Sequence, residues 1–167
     1  SKLIDEFVAA GYEYEETHIL SMSYGEFVKS NNTTKPLDSN IQIHAIISKD
    51  DWQQWQNISV KTHDGDHSKD SIRNYLDEKI VNYINLAKNN FGEYLGAFIG
   101  VNLVGYAGMY YLEGVARFQD VRVLIEYQNK GIGRHLLTQL ICRQKERSQQ
   151  QETKDQALLT SQPQDLN

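Results

Sequence analysis

The sequence predicts an α+β fold, a mixed but mostly antiparallel sheet flanked by helices, with a glycine loop joining the fourth strand to the helix after it. Three observations predict it. Residues 93–124 run as two hairpin-like units, broken at Gly100-Val101-Asn102 and again at Gly114. Ahead of them lie two helical stripes, one carrying Trp52, Trp55 and Ile58, the other running from Asp70 to Asn90. After them, Val121 to Leu137 reads strand, glycine loop, helix: Val121, Val123 and Ile125 are β-branched, Gly131 and Gly133 flank Ile132, and Leu136, Leu137, Leu140 and Ile141 follow at helical spacing.

Taken in order, Lys2 to Ala10 spaces Leu3, Ile4, Phe7 and Val8 as a helix, and Gly11 stands where a helix ends. Tyr12 to Met22 turns strand-like. Ser30 to Asn40 is polar, carries a proline and reads as a linker, so residues 1–40 form an N-terminal helix–strand segment and residues 41–167 the core. Ile41 to Ser48 is the first core strand, with His44 a strand histidine rather than a ligand. Ser48 to Asp51 caps the first core helix, whose tryptophans three apart imply packing. The long helix has Ile72, Tyr75, Leu76, Ile80, Tyr83, Ile84 and Ala87 on one stripe and stops at Asn89-Asn90 and Gly92. Gly105 and Gly108, inside a strand, mark a bulge or a close approach. Beyond the loop helix, Arg143 to Asp155 reads as its solvated end plus a connector, and Gln156 to Thr160 as one more strand before Ser161 to Gln164.

Composition narrows the function. A chain of 167 residues with 40% apolar and 23% charged residues is long enough for one full core. No apolar run approaches the ~20 residues of a membrane span, and no secretory leader is present, so no membrane partner is expected. The lone cysteine, Cys142, forms no internal disulfide, fits a reducing cytoplasm, and is expected to pack beside Leu140 and Ile141. A net charge of −5 argues against nucleic acid and suits weak steering of a cationic amine. His63-Asp64-Gly65-Asp66-His67 has metal-ligating residue types, but Asp-Gly is also a turn signal, and no metal is expected.

The chemistry concentrates at Gln128-Asn129-Lys130-Gly131-Ile132-Gly133, a Q-x-x-G-x-G pattern between strand and helix. Such a loop gathers free N–H groups and the positive end of a helix dipole around one anion, and glycines let a phosphate approach the amides. No G-x-x-x-x-G-K-[ST] occurs, and Leu136 replaces the third glycine of a dinucleotide fingerprint. The glycines could also serve only a sharp turn. With its upstream meander, the pattern resembles the pyrophosphate loop of the GNAT N-acetyltransferase superfamily, which implies acetyl-CoA as co-substrate. GAFIGVNLVGYAGMYYL resembles that family's second and third strands, and Arg117-Phe118-Gln119-Asp120-Val121 the R-F-Q-x-V strand of a bacterial two-part branch. The resemblance covers about Ile41 to Leu140. It implies that the front helix–strand run is similar to the end of a degenerate half-domain; an N-terminal arm is the alternative. A fifth strand diverging from the fourth would leave a gap for pantetheine, and the core is expected to be incomplete at its C-terminus, part of a longer protein.

Acetyl transfer to an amine needs a held thioester, a neutral amine, a stabilised oxyanion and a proton for the leaving thiolate. By the resemblance, the main chain of Val121, Arg122 and Val123 pairs with the pantetheine arm. Gln128, Asn129, Lys130, Gly131, Ile132, Gly133 and Arg134 hold the pyrophosphate, with charge added by Lys130 and Arg134. The catalytic base is unassigned: where some members carry a glutamate, this chain has Arg117, and neither Glu113 nor Asp120 is singled out. By the resemblance, many members use a tyrosine beyond the fifth strand as acid, a region missing from these 167 residues, and Tyr110 and Tyr111 read as core or cleft-wall aromatics. The expected function is transfer of acetyl from acetyl-CoA to a primary amine of a small molecule or protein. The alternative is a degenerate module that binds acyl-CoA or a partner domain without turnover. Oligomeric state is not legible, and a homodimer is compatible with the sequence.

Overall fold

Gly100, with its backbone in the left-handed region at φ 58°, folds two long strands back on each other and so sets the centre of the sheet. The structure is a computed structural model and describes residues 2–10, 23, 25–27, 36–63, 68–112 and 115–160. By its contacts the chain divides into two compact units, Ser1–Thr33 and Thr34–Asn167. In the first, the spacing of apolar residues forms helix α1 (Lys2–Ala9). The strand expected at Tyr12 to Met22 and residues 30–35 of the expected linker lie outside the described residues, as do Asp64 to His67, Glu113, Gly114 and Ser161 to Gln164.

The second unit runs β1 (Ile41–Ala45), α2 (Lys49–Lys61), α3 (Lys69–Lys88), β2 (Gly92–Ile99), β3 (Asn102–Leu112), β4 (Val115–Val123), a 3-10 turn (Ile125–Tyr127) and α4 (Ile132–Thr160). The strands pair in the order β1-β2-β3-β4, each antiparallel to its neighbour, which leaves β4 at an edge. Ser48 caps α2 as its sequence predicts: its Oγ accepts from the Asp51 amide at 3.0 Å, and Asp51 Oδ2 accepts from the Ser48 amide at 2.9 Å.

The pleat sends alternate residues to two cores. Trp52, Trp55 and Ile58 of α2 and Ile72, Leu76 and Tyr83 of α3 bury one face together with Tyr94, Phe98, Leu103 and Tyr106. On the other face, Ile132, Leu136 and Leu140 of α4 pack on Leu95, Ala97, Val104, Ala107 and Met109. A bulge between Ala97 and Phe98 lets Leu103 and Tyr106, three apart, share a face. His44 is a strand histidine, stacked on Phe98 with ring centroids 4.0 Å apart.

Ile125, read with the fourth strand, falls in the 3-10 turn, and two expectations for α4 need correction. Gln156 to Thr160 continues α4 instead of forming a strand. The glutamines, lysines and glutamates from Arg143 onward are good helix formers, and no glycine or proline interrupts them before Pro163, so the helix propagates. Cys142 is exposed, not packed: the buried stripe falls every fourth residue, at 132, 136 and 140, and position 142 is turned well past it. What holds α4 to the sheet beyond that stripe is Glu93, only 6% exposed. Its Oε2 meets Arg143 at 3.3 Å and Arg147 at 3.2 Å, and its Oε1 accepts from the Tyr111 hydroxyl at 3.2 Å.

Gly108 is the close approach anticipated in β3. A Cβ there would stand 2.4 Å from Cζ of Tyr94, a ring that is 3% exposed and wedged against Trp52, Trp55 and Tyr83. The ring has nowhere to go. Gly108→Ala is therefore expected to destabilise the domain by about 1–3 kcal/mol through overpacking, read as a lower urea midpoint with an unchanged slope.

Candidate active site

Between β3 and β4 the register slips: Tyr106 faces Arg122, but Gly108 faces Gln119, so Asp120 and Val121 together oppose Ala107. Asp120 takes the strain of this bulge at φ 45°, a conformation that aspartate and asparagine reach more readily than most residues. Its carboxylate is held from two elements. The hydroxyls of Tyr83 on α3 and Tyr94 on β2 both donate to Oδ2, each at 3.1 Å. Burial, the largest influence on both tyrosines, pushes their pKa values up, so each keeps its proton and remains a donor at neutral pH.

Asp120 lines a cavity of about 500 Å³ between the sheet and helices α2 and α3. Trp55 and Tyr106 form apolar wall, and Tyr106 Oη meets Ser59 Oγ at 2.7 Å. Buried Trp55 Nε1 has no hydrogen-bond partner among the described residues. Tyr75, expected in the core stripe of its helix, is instead 57% exposed at the cavity, where Lys79 Nζ sits 4.8 Å from its ring centroid. Burial opposes the charge on Lys79, but a hydrogen bond to Tyr75 and the fields of Tyr83, Asp120 and Tyr75 outweigh it and raise its pKa. Arg122 also lines the cavity, its Nη1 donating to Thr62 O and to Thr62 Oγ1 at 2.7 Å each.

The glycine loop lies at the far end of β4. Gln128 Nε2 donates to Val123 O at 3.1 Å, tying the loop to the strand. Asn129 and Gly131 both have left-handed backbones, at φ 60° and 82°. Lys130 Nζ lies 4.9 Å from the Tyr127 ring centroid, and Ile132 plugs the loop into the core at 1% exposure. The carbonyl of Gly131 accepts from the His135 amide at 3.1 Å and lies 3.0 Å from His135 Nδ1. By contrast, among the described residues the amides of Asn129, Lys130, Gly131, Ile132 and Gly133 donate to no other backbone group. Gly133 has neither a left-handed backbone nor a crowded Cβ position: the nearest atom to such a Cβ is Val123 Cγ2, at 3.9 Å. Its own fold does not require that glycine.

The structure thus brings the loop residues 128 to 134 and the strand end at Val123 together, with Val121 exposed on the edge of β4 and Arg134 exposed on the first turn of α4. Arg122 instead turns its side chain to the cavity. Arg117, at the position where some relatives carry a glutamate, is exposed opposite Tyr110, and Glu113 lies outside the described residues. Missed by sequence reasoning were the tyrosine pair on Asp120, the cationic wall of Lys79 and Arg122, and the grip of His135 on Gly131. Only the last left a local signal, a histidine four residues after the glycine on one helical face.

The helices on both faces of the sheet and the glycine loop at the end of a bulged edge strand define a three-layer α+β domain. Residues 50–155 match the model of the acetyltransferase (GNAT) family, and the chain belongs to that family. Among solved structures it is similar to the PaiA N-acetyltransferase of Thermoplasma acidophilum in complex with coenzyme A, with 24% identity over 65% of this chain and 74% of that one and a TM-score of 0.53. It is also similar to a GNAT-family acetyltransferase of Staphylococcus aureus Mu50, with 23% identity over 65% of this chain and 68% of that one and a TM-score of 0.49. The first of these likenesses, at 24% identity, shows the fold alone. No curated protein matched the chain.

The left-handed backbone at Asp120 separates the roles of its charge and its conformation. Asp120→Asn keeps a residue that tolerates φ 45° and is expected to fold with little loss, whereas Asp120→Leu loses about 1–2 kcal/mol to backbone strain before its lost hydrogen bonds are counted. Thermal melts of the two variants side by side check this; equal stability would remove the strain argument.

Proposed function

We propose that this chain is an acetyl-CoA-dependent N-acetyltransferase acting on a primary amine. One observation carries the reading: five consecutive backbone N–H groups, Asn129 to Gly133, have no backbone acceptor among the described residues, and the glycine at 133 leaves room that the fold itself does not need. A phosphate-bearing group fits this arrangement, because the N–H groups of a loop and of a helix's first turn favour an anion and a side chain at 133 would intrude on it. Acetyl-CoA, when bound, supplies the activated thioester.

The chain's own groups take the tasks of binding and positioning. The loop amides and the N-terminus of α4 hold the diphosphate, with Lys130 and Arg134 adding positive charge. The edge of β4 at Val121 to Val123, without a neighbouring strand among the described residues, offers main-chain groups to an extended arm, as an edge strand does to any added strand. Asp120, fixed by two protonated tyrosines beside that edge, sets a negative charge where an incoming ammonium binds. The aromatic wall of the cavity limits water around the amine.

A second reading is a module that binds acyl-CoA or a partner without turnover, and exposed Arg117 at the family's glutamate position favours it. Thiol release from acetyl-CoA with a panel of primary amines separates the two: turnover supports the transferase, tight binding without turnover the module.

Gly133→Leu tests the loop. Because a Cβ at 133 meets only ordinary contact, this variant is expected to melt like the parent while its acetyl-CoA affinity falls about tenfold or more by calorimetric titration. Unchanged affinity in a folded variant would refute the assigned loop.

A further inference from the structure

The cavity beside β4 holds charges of both signs that do not close on one another. Asp120 contributes a carboxylate, Lys79 and Arg122 contribute cations, and His63 also faces the space. In a cavity this small, opposite charges are expected to collapse into an ion pair unless something holds them apart. Among the described residues, no ion pair joins Asp120 to Lys79 or to Arg122. Each is instead occupied by neutral groups. Both hydrogen bonds to Asp120 fall on Oδ2, from Tyr83 and Tyr94. Lys79 rests over the Tyr75 ring, and Arg122 uses Nη1 on Thr62, with the other donors of its planar fork remaining.

A receptor that keeps a carboxylate and two cations separate within one cavity is complementary to a ligand that carries the inverse pair. We infer that the acceptor is a small zwitterion of the amino-acid type, its ammonium at Asp120 and its carboxylate at Lys79 and Arg122. This inference rests on the transferase reading for the identity of the cavity as the acceptor site. It departs from what net charge suggests. A chain at −5 would draw in polycationic amines, but a diamine seated at Asp120 would press its second ammonium toward Lys79 and Arg122, and that juxtaposition discriminates against it. It also favours free amino acids over protein N-termini, whose α-carboxylate is consumed in a peptide bond. The rings of Trp55, Tyr75 and Tyr106 provide apolar surface for a side chain.

The test compares amino acids with their own carboxamides, which keep the amine and lose only the negative charge. L-phenylalanine, L-methionine, L-glutamate and glycine are each paired with the amide, and putrescine serves as the diamine. Thiol release from acetyl-CoA is measured together with ligand-observed magnetisation transfer in the absence of acetyl-CoA. The expected result is that at least one amino acid exceeds its amide and putrescine by about tenfold or more in kcat/KM or in bound signal, the size of a lost hydrogen bond to a charged group. Lys79→Met abolishes that preference and Lys79→Arg restores it, with melts confirming that both fold. Amides or putrescine equal to or better than every amino acid would overturn the inference, as would a preference indifferent to Lys79→Met. Lys79-dependent binding of a zwitterion without thiol release would uphold zwitterion recognition by this cavity but overturn its role as acceptor together with the transferase reading; thiol release with diamines alone would uphold the transferase reading and overturn the zwitterion.

Discussion

One irregularity organises this domain: two residues of β4, Asp120 and Val121, stand opposite one residue of β3. Bulges re-aim side chains and bend an edge strand, and here both consequences are visible. Asp120 is turned into the face covered by α2 and α3, where Tyr83 and Tyr94 hold it. Val121 is left exposed on an edge with no partner strand among the described residues. The left-handed backbone of Asp120 is tolerated because the carboxylate is over-determined by two hydroxyl donors from different elements. Gly108 belongs to the same device, since its missing Cβ is the space the Tyr94 ring occupies.

The second face of the sheet serves the loop. Ile132, Leu136 and Leu140 dock α4 on β2 and β3, and the buried carboxylate of Glu93 gathers Arg143, Arg147 and Tyr111 further along. A buried carboxylate with a single partner would gain little for its desolvation, but three partners share this one. The N-terminus of α4 is thereby held where Gln128 reaches Val123, so that loop amides and strand edge form one continuous surface.

Much of this was legible in the chain because local chemistry carried it. Gly100 and the asparagines after the long helix punctuate elements where the structure ends them, Ser48 and Asp51 form the cap their spacing predicts, and Gly105 and Gly108 in a strand marked the region of the slipped register. The glycine loop was readable for the same reason. What could not be read depends on partners far apart in sequence. Asp120 lies 37 residues from Tyr83 and 26 from Tyr94, and Glu93 lies 50 from Arg143. Short apolar runs are also ambiguous between strand and helix, which is why Gln156 to Thr160 read as a strand and is helical.

The central claim is that the amides from Asn129 to Gly133 grip a diphosphate while the edge of β4 holds the arm attached to it. Amide chemical-shift mapping with two ligands, coenzyme A and pantetheine lacking the diphosphate, tests it most directly. Coenzyme A should shift the amides of Lys130 to Gly133 together with those of Val121 to Val123, and pantetheine should shift only the strand set, with much weaker affinity. Saturable binding of coenzyme A that leaves the loop amides unmoved, or no binding at all, would contradict the account.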